Sequence, residues 1–353
     1  MAIISGGETL TNRAKNRVIN GNMRIDQRNV TSTINATGVT YNVDRWLGRG
    51  VGSDGVFTLA QDTTSPVNFT NSLKAAVTTA DGDIAAGSSY RIQQHIEGNN
   101  IADLNWGTSD AQSVTLSFFV RSSVTGTFGG SLANGDFDRF NVFSYTISSA
   151  DTWEKKTITI AGDTSGTWYT NTSIGIRINF SLGAGSNLLA SAGSWGASTK
   201  EGVSSQVNLI ATNSATFYLT GVQLEPGITA TSFEHRQFGQ ELELCQRYYY
   251  KRVQGLFGVG WILDSTRLIL SVEYPVSMRI APTAIEQTGT AANYQIVHLA
   301  TAAACSAVPA FGGETSTDAT RVTATVGSGL TAGQAGGLRS GASGAYLAWS
   351  AEL

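Results

Sequence analysis

Ser113-Val114-Thr115-Leu116-Ser117-Phe118-Phe119-Val120-Arg121 alternates without a break. Val114, Leu116, Phe118 and Val120 fall on one side of an extended chain, and Thr115, Ser117, Phe119 and Arg121 fall on the other. Successive strand side chains point to opposite faces, so this stretch reads as a strand with one buried face. Ser173 to Phe180 repeats the pattern, with Ile174, Ile176, Ile178 and Phe180 inward and Ser173, Gly175, Arg177 and Asn179 outward. Further strands are expected at Tyr41 to Leu47, Val56 to Ala60, Leu73 to Thr78, Ser89 to Glu97, Phe140 to Ile147, Lys156 to Ile160, Gln206 to Ile210 and Thr216 to Glu225. Turn clusters such as Ala80-Asp81-Gly82-Asp83 and Asn134-Gly135-Asp136 separate them, as in an antiparallel sandwich or jelly roll. In Thr216 to Glu225 the inward phase moves from Phe217 and Leu219 to Val222 and Leu224 across Gly221, the signature of a bulge at a glycine.

Arg236 to Arg247 is the one helical stretch, with Phe238, Leu242 and Cys245 recurring at four and three residues. Strands resume after Tyr248, at Leu256 to Leu263, Arg267 to Glu273, Tyr294 to Leu299, Thr320 to Val326 and Ala345 to Ala351, while Gly327 to Gly344 reads as a long loop or a poorly ordered segment. A chain of 353 residues is long enough for two cores. The expected fold class is all-β: a jelly-roll β-sandwich followed by a smaller β-rich C-terminal domain, joined by a short helical connector. The expected boundaries are an N-terminal arm at 1–16, the jelly roll at 17–235, the connector at 236–247 and the second domain at 248–353.

Composition argues against several functions. Charged residues make up 14% of the chain and the formal net charge is −3, so no basic field collects phosphates or anionic lipid. Neither nucleic acid nor membrane insertion is expected, and no stretch approaches the roughly 20 apolar residues of a membrane span. The N-terminus has neither a basic region nor an apolar run of signal-peptide length, so synthesis in a cytoplasm is expected. Cys245 and Cys305 are too few for a disulfide framework and too far apart for a zinc knuckle, and both read as buried apolar residues.

Nucleotide-binding loops, metalloprotease helices and nucleophile elbows are missing from the sequence, and His95, His235 and His298 are isolated. Asp136 with Asp138 and Asp81 with Asp83 are the nearest approach to a carboxylate pair for glycoside cleavage, but both lie in turns where Asp serves the backbone. Asp81-Gly82-Asp83 offers calcium two carboxylates, short of the six to eight oxygens it takes. The chain is therefore expected to be no enzyme and to hold no cofactor or metal.

Asn20-Gly21-Asn22-Met23, Ser88-Ser89-Tyr90-Arg91-Ile92, Val114 to Arg121, Thr152-Trp153-Glu154-Lys155-Lys156 and Phe217-Tyr218-Leu219-Thr220-Gly221-Val222-Gln223-Leu224, in that order and spacing, resemble carbohydrate-binding modules of families 4 and 9 over Arg17 to Glu225. The resemblance implies a jelly roll. Where those modules carry Asp-Asp near a structural calcium, this chain has Thr220-Gly221, which puts such a site in doubt. The continuation Leu224-Glu225-Pro226-Gly227, then Phe233-Glu234-His235-Arg236, Glu241 to Tyr249, and Tyr274-Pro275-Val276-Ser277-Met278-Arg279 to Pro282, is similar to phage tail-fibre and minor virion structural proteins. That implies a trimeric protein displayed on the virion beside other virion proteins.

Glycan binding needs flat aromatic faces and groups that bond hydroxyls. Trp168 and Tyr169 lie between Gly166-Thr167 and Thr170-Asn171, Trp195 lies in Gly193-Ser194-Trp195-Gly196, and Trp106 precedes Gly107. Glycine flanks supply little neighbouring side chain, so Trp168, Tyr169 and Trp195 are expected to be exposed, with Asn171, Asn187 and Arg177 as hydroxyl partners, while Trp106 is a candidate for either ligand contact or packing. Trp46 and Trp153 sit in apolar alternation and read as packing residues. Two functions follow from these features. One is a tail fibre or receptor-binding adhesin that contacts host-surface polysaccharide without cleaving it. The other is a purely structural virion component, such as a head fibre, capsid decoration or tail collar protein. A homotrimer is expected in either case, with Ala345-Tyr346-Leu347-Ala348-Trp349 in the contact.

Overall fold

The computed structural model describes residues 15–353 except 36 and 53, together with two short paired strands at Ile4–Ser5 and Glu8–Thr9. The arm expected at 1–16 otherwise lies outside the described residues. The chain divides into two compact units, Met1–Arg236 and Gln237–Leu353, each with its own core. Among the described residues the single α-helix, Phe238–Gln246, falls in the second unit.

The first unit is an all-β jelly-roll sandwich of two antiparallel sheets. One sheet runs, edge to edge, through Trp195–Gly196, Phe140–Ile147, Gly126–Ala133, Ile174–Ala184, Ser89–Glu97, Trp46–Val51 and Val39–Tyr41. The other runs through Glu154–Ile160, Val114–Ser122, Thr216–Pro226, Ser72–Thr79, Val56–Asp62 and Ser32–Ile34. Leu116, Phe118 and Val120 from one sheet meet Ile176, Ile178 and Phe180 from the other in a continuous core, so the two alternating stretches supply its opposite walls. At Gly221 the register shifts between Thr220 and Gln223 and φ is +61°, which is the expected bulge. Asn20 locks the sandwich's edge: its side chain bonds Ile25 and the Asp44 carbonyl, and its own carbonyl accepts from Trp46 Nε1 at 3.0 Å.

Several strand expectations are corrected. Tyr41 to Leu47 is broken by a turn in which Arg45 takes φ +71°. Instead of a strand at Gln206 to Ile210 there is a 3-10 turn at Leu209–Ala211. Gly126–Ala133 is a strand that alternation misses, because glycine replaces side chains where neighbours press in. A Cβ on Gly130 would stand 2.2 Å from the Asn179 carbonyl oxygen. The outward row of Ser173 to Phe180 is only partly solvated, since Asn179 is fully buried while Ser173 is exposed.

In the second unit a seven-stranded antiparallel sheet runs Thr301–Ala304, Tyr294–His298, Ala335–Ser340, Leu256–Ile262, Arg267–Glu273, Ala319–Thr325 and Ala307–Thr315. Ala335–Ser340 lies inside the stretch expected to be a loop. Its Gly337 sits 3.1 Å, by a hypothetical Cβ, from Leu256, so close packing explains the composition. A three-stranded sheet pairs Tyr346–Ser350 with Tyr249–Val253 on one side and Glu286–Gln287 on the other. Leu347, Ala348 and Trp349 are therefore core residues of this unit, with Trp349 stacked on Tyr250 at 5.8 Å, and they are not available for a trimer contact. Cys245 and Cys305 are both buried.

Candidate functional site

The face of the seven-stranded jelly-roll sheet turned away from the core carries polar side chains. On Ser89–Glu97, Tyr90, Ile92 and Ile96 enter the core, which leaves Ser89, Arg91, Gln93, His95 and Glu97 on the far side, all buried. Register extends this row onto the neighbouring strands: Arg49 stands opposite Arg91, Asn179 opposite Gln93, and Arg177 opposite His95. Gln93 Nε2 donates to Asn179 Oδ1, and Asn179 Nδ2 donates to Ser131 Oγ at 2.8 Å, a ladder across three strands. Buried amides and hydroxyls need such partners, and the ladder supplies most of them.

Two covers close over this face. The chain between Ile174–Ala184 and Thr216–Pro226 folds across it, pinned where Gln206 Nε2 donates to Ser181 Oγ at 2.9 Å and where Glu201 pairs with Arg91. The Asn134–Arg139 turn forms the second cover. Phe137, at φ +61°, lies with its ring centroid 4.4 Å from the Arg177 guanidinium carbon, and the Gly135 carbonyl accepts from Arg177 Nη2 at 3.0 Å. An open cleft of about 320 Å³ remains between them, lined by Arg49, Arg91, Phe137, Arg177, Leu188 and Glu201 among others.

Its electrostatics are one-sided. Arg91 donates to Ser89 Oγ at 2.5 Å and to Glu201, and burial, with the charge of Arg49 added, lowers its guanidinium to about 10 despite that carboxylate. Burial first, then Arg49 and Arg91, likewise lower Arg177 to about 10 against the pull of Tyr41 and Asp136. Arg177 Nη1 lies 3.0 Å from His95 Nε2, and His95 Nδ1 lies 3.3 Å from Tyr41 Oη. Arginine only donates, so Nε2 accepts and the ring proton belongs on Nδ1. Asp136 is turned aside and accepts the Tyr169 hydroxyl at 2.9 Å. The Nε atoms of Arg49, Arg91 and Arg177 and Oε1 of Gln93 are buried with no partner.

Of the sequence candidates, Arg177 alone lines this cleft. Trp106, Trp168 and Trp195 pack on one another edge to face, with centroids 4.6 to 5.4 Å apart. Each indole N–H is spent on a backbone carbonyl, that of Gln112, Ser165 and Ala161 respectively. Trp106 and Trp168 are only 6% and 7% exposed and belong to the core, which corrects the expectation of free rings. Glycine worked in the opposite sense from that expected. A Cβ on Gly107 would meet the Gly166 carbonyl at 2.8 Å and Trp168 at 3.3 Å, so the glycines let two loops close over the ring instead of leaving it bare. Asn171 is exposed and its Oδ1 caps Ser173 N at 2.8 Å, while Tyr169 braces the turn that carries Phe137. Asn187 is exposed, and its carbonyl accepts from Lys200.

Arg49, Arg91, Phe137 and Glu201 escaped sequence reasoning. The signal for Arg91 was present, in the polar half of the Ser89 to Glu97 alternation. Asp81 and Asp138 do the backbone and side-chain bonding expected of turn residues, to Asp83 N and Tyr90 and to Asn134 respectively. Among the described residues no three His, Cys, Asp or Glu side chains gather as metal ligands.

No protein-family model and no curated protein matches the chain. Solved structures similar to it include the enzymatically active domain of a bacteriophage CBA120 tailspike protein, at 14% identity and TM-score 0.30, covering 60% of this chain and 21% of that one. A putative sugar-binding protein from Bacteroides thetaiotaomicron shares 13% identity at TM-score 0.35, covering 60% of this chain and all (100%) of its own. A family 11 carbohydrate-binding module from Clostridium thermocellum, in complex with a mixed-linked tetrasaccharide, shares 11% identity at TM-score 0.28 over 58% and 98% of the two chains. The chain thus spans about a fifth of the tailspike chain's length. No ligand or role passes to it from likenesses this distant.

Proposed function

We propose that this protein is a virion component whose first unit binds a host-surface saccharide in the cleft of its seven-stranded sheet, without cleaving it. One observation carries the binding reading: the non-core face of the central strands carries a row of buried polar side chains that opens into a walled cleft. A face built only for packing would be apolar, because each buried polar group costs free energy unless bonded. Ligand sites, by contrast, are concave and place a few polar groups inside a formed wall. Binding without cleavage is supported by the carboxylates. Glu201 is tied to Arg91 and Asp136 to Tyr169, so neither is placed as a free acid facing a base across the cleft. The virion setting rests on the resemblance of Leu224 to Gly227 and the following motifs to phage tail-fibre proteins.

Gly87 lines the cleft, and a Cβ there meets nothing within 4 Å, so a large side chain fits the backbone and fills the space. Gly87→Trp should abolish adsorption to host cells and saccharide capture while the melting midpoint holds. Undiminished adsorption by the folded variant would overturn the cleft as the site.

The structural alternative keeps one specific support, in the second unit. Leu256, Val259 and Trp261 are 55%, 66% and 53% exposed, with Leu256 and Val259 sharing one shallow surface depression. A contiguous apolar patch of this kind marks an association surface. A homotrimer formed through that strand, in place of the buried C-terminal one, is the assembly proposed. Light scattering that gives a monomer at micromolar concentration removes it.

A further inference from the structure

We infer that the cleft recognises a carboxylate carried on the saccharide, so that its ligand is an acidic, uronate-type glycan. This inference rests on the glycan-binding reading above. Among the described residues lining the cleft stand three guanidiniums and a single carboxylate, Glu201, which is already paired with Arg91. Asp136, the other carboxylate acting on Arg177, is bonded to Tyr169. Among the described residues Arg49 has no carboxylate partner, and it stands directly opposite Arg91 across an antiparallel pair, where like charges repel. Glu201 offsets the charge of Arg91, no described carboxylate pairs with Arg49, and a bound anion would neutralise it.

The aromatic evidence points the same way. A neutral sugar is held chiefly by stacking on a free ring face, together with a mixture of donors and acceptors. Phe137 is the ring in this cleft, and one face of it is taken by Arg177 at 4.4 Å. The lining therefore presents donors in excess, in the planar fork that matches a carboxylate. Arg49 is the residue to test. Its side chain has no hydrogen-bond partner among the described residues, and it stands outside the polar ladder that supports the sheet.

The experiment uses the full chain against a panel of acidic bacterial polysaccharides, each beside its carboxyl-reduced derivative, with neutral β-glucans and xylans and with inorganic phosphate as competitor. Wild type should bind at least one acidic member, lose about tenfold or more on carboxyl reduction, and weaken as salt rises. Arg49→Gln should lose a similar factor for that member while its melting midpoint holds or rises, and Arg49→Lys should recover part of the loss. Binding confined to neutral members, or unaffected by carboxyl reduction or by Arg49→Gln, overturns the acidic inference and leaves saccharide binding standing. Phosphate competing as well as the oligosaccharide leaves an anion site and overturns the saccharide reading. Capture of no member of the panel overturns both.

Discussion

The two units solve the same problem in opposite ways. Each has a seven-stranded antiparallel sheet with one face sealed against a core. On the first unit the other face is polar and mostly covered, with Asn179, Gln93 and Ser131 fully buried beneath added loops. On the second it is apolar and open at Val259 and Trp261, whose cross-strand partners on Ala335–Ser340 are Gly337 and Ala335. Strand alternation alone produces both. The difference lies in what each face leaves unsatisfied: directional, charged groups that select a small partner, or bare hydrocarbon that any complementary surface relieves.

The largest expected effect lies outside both faces and guards the comparison. If the tryptophan cluster is core and the cleft is the site, Trp168→Ala should cost about 3–5 kcal/mol, as for other large-to-small core changes. Urea denaturation followed by fluorescence reads the loss directly. A variant that keeps full stability but fails to bind saccharide would return the cluster to the binding surface and leave the cleft without its role.

How legible this was depends on distance along the chain. Arg177 and Asn179 were placed on the non-core row by the Ser173 to Phe180 alternation, and the Gly221 bulge was written into one strand. Periodicity speaks only of neighbours, however, and what covers a face comes from elsewhere. Arg91 meets Glu201 across 110 residues, and Arg177 meets Phe137 through a turn. The tryptophans misled for the same reason, because a glycine-flanked ring is bare in sequence and enclosed once two glycine turns approach. The strand Ala335–Ser340 was hidden because Gly336 and Gly337 carry no alternation to read.

A middle-sized effect tests the apolar half of the contrast. Truncating a central aromatic anchor at an interface commonly costs about 2 kcal/mol or more. Trp261→Ala should therefore weaken self-association well over tenfold in sedimentation or light scattering, while the unit's own unfolding midpoint hardly moves. A change in unfolding without a change in mass would mean that Trp261 supports its own sheet, and the second face would lose its claim to a partner.

The smallest effect sharpens the polar half, and it runs against the usual direction of mutation. Arg49 and Arg91 face one another across the strand pair, and like charges at that position destabilise by about 0.2–1 kcal/mol. The Arg49 side chain makes no hydrogen bond to the described residues in return, so Arg49→Gln should stabilise the unliganded protein by that amount while weakening ligand binding. Partial exposure lets salt screen the repulsion, so the gain should shrink as ionic strength rises. Arg49→Lys, which keeps the charge, should show little gain at any salt. Denaturation curves of the three proteins at low and high salt decide the matter. If Arg49→Gln is less stable than wild type under both conditions, Arg49 contributes packing that outweighs the repulsion, and the charge opposition in the cleft can no longer be read as stability held back for an anion.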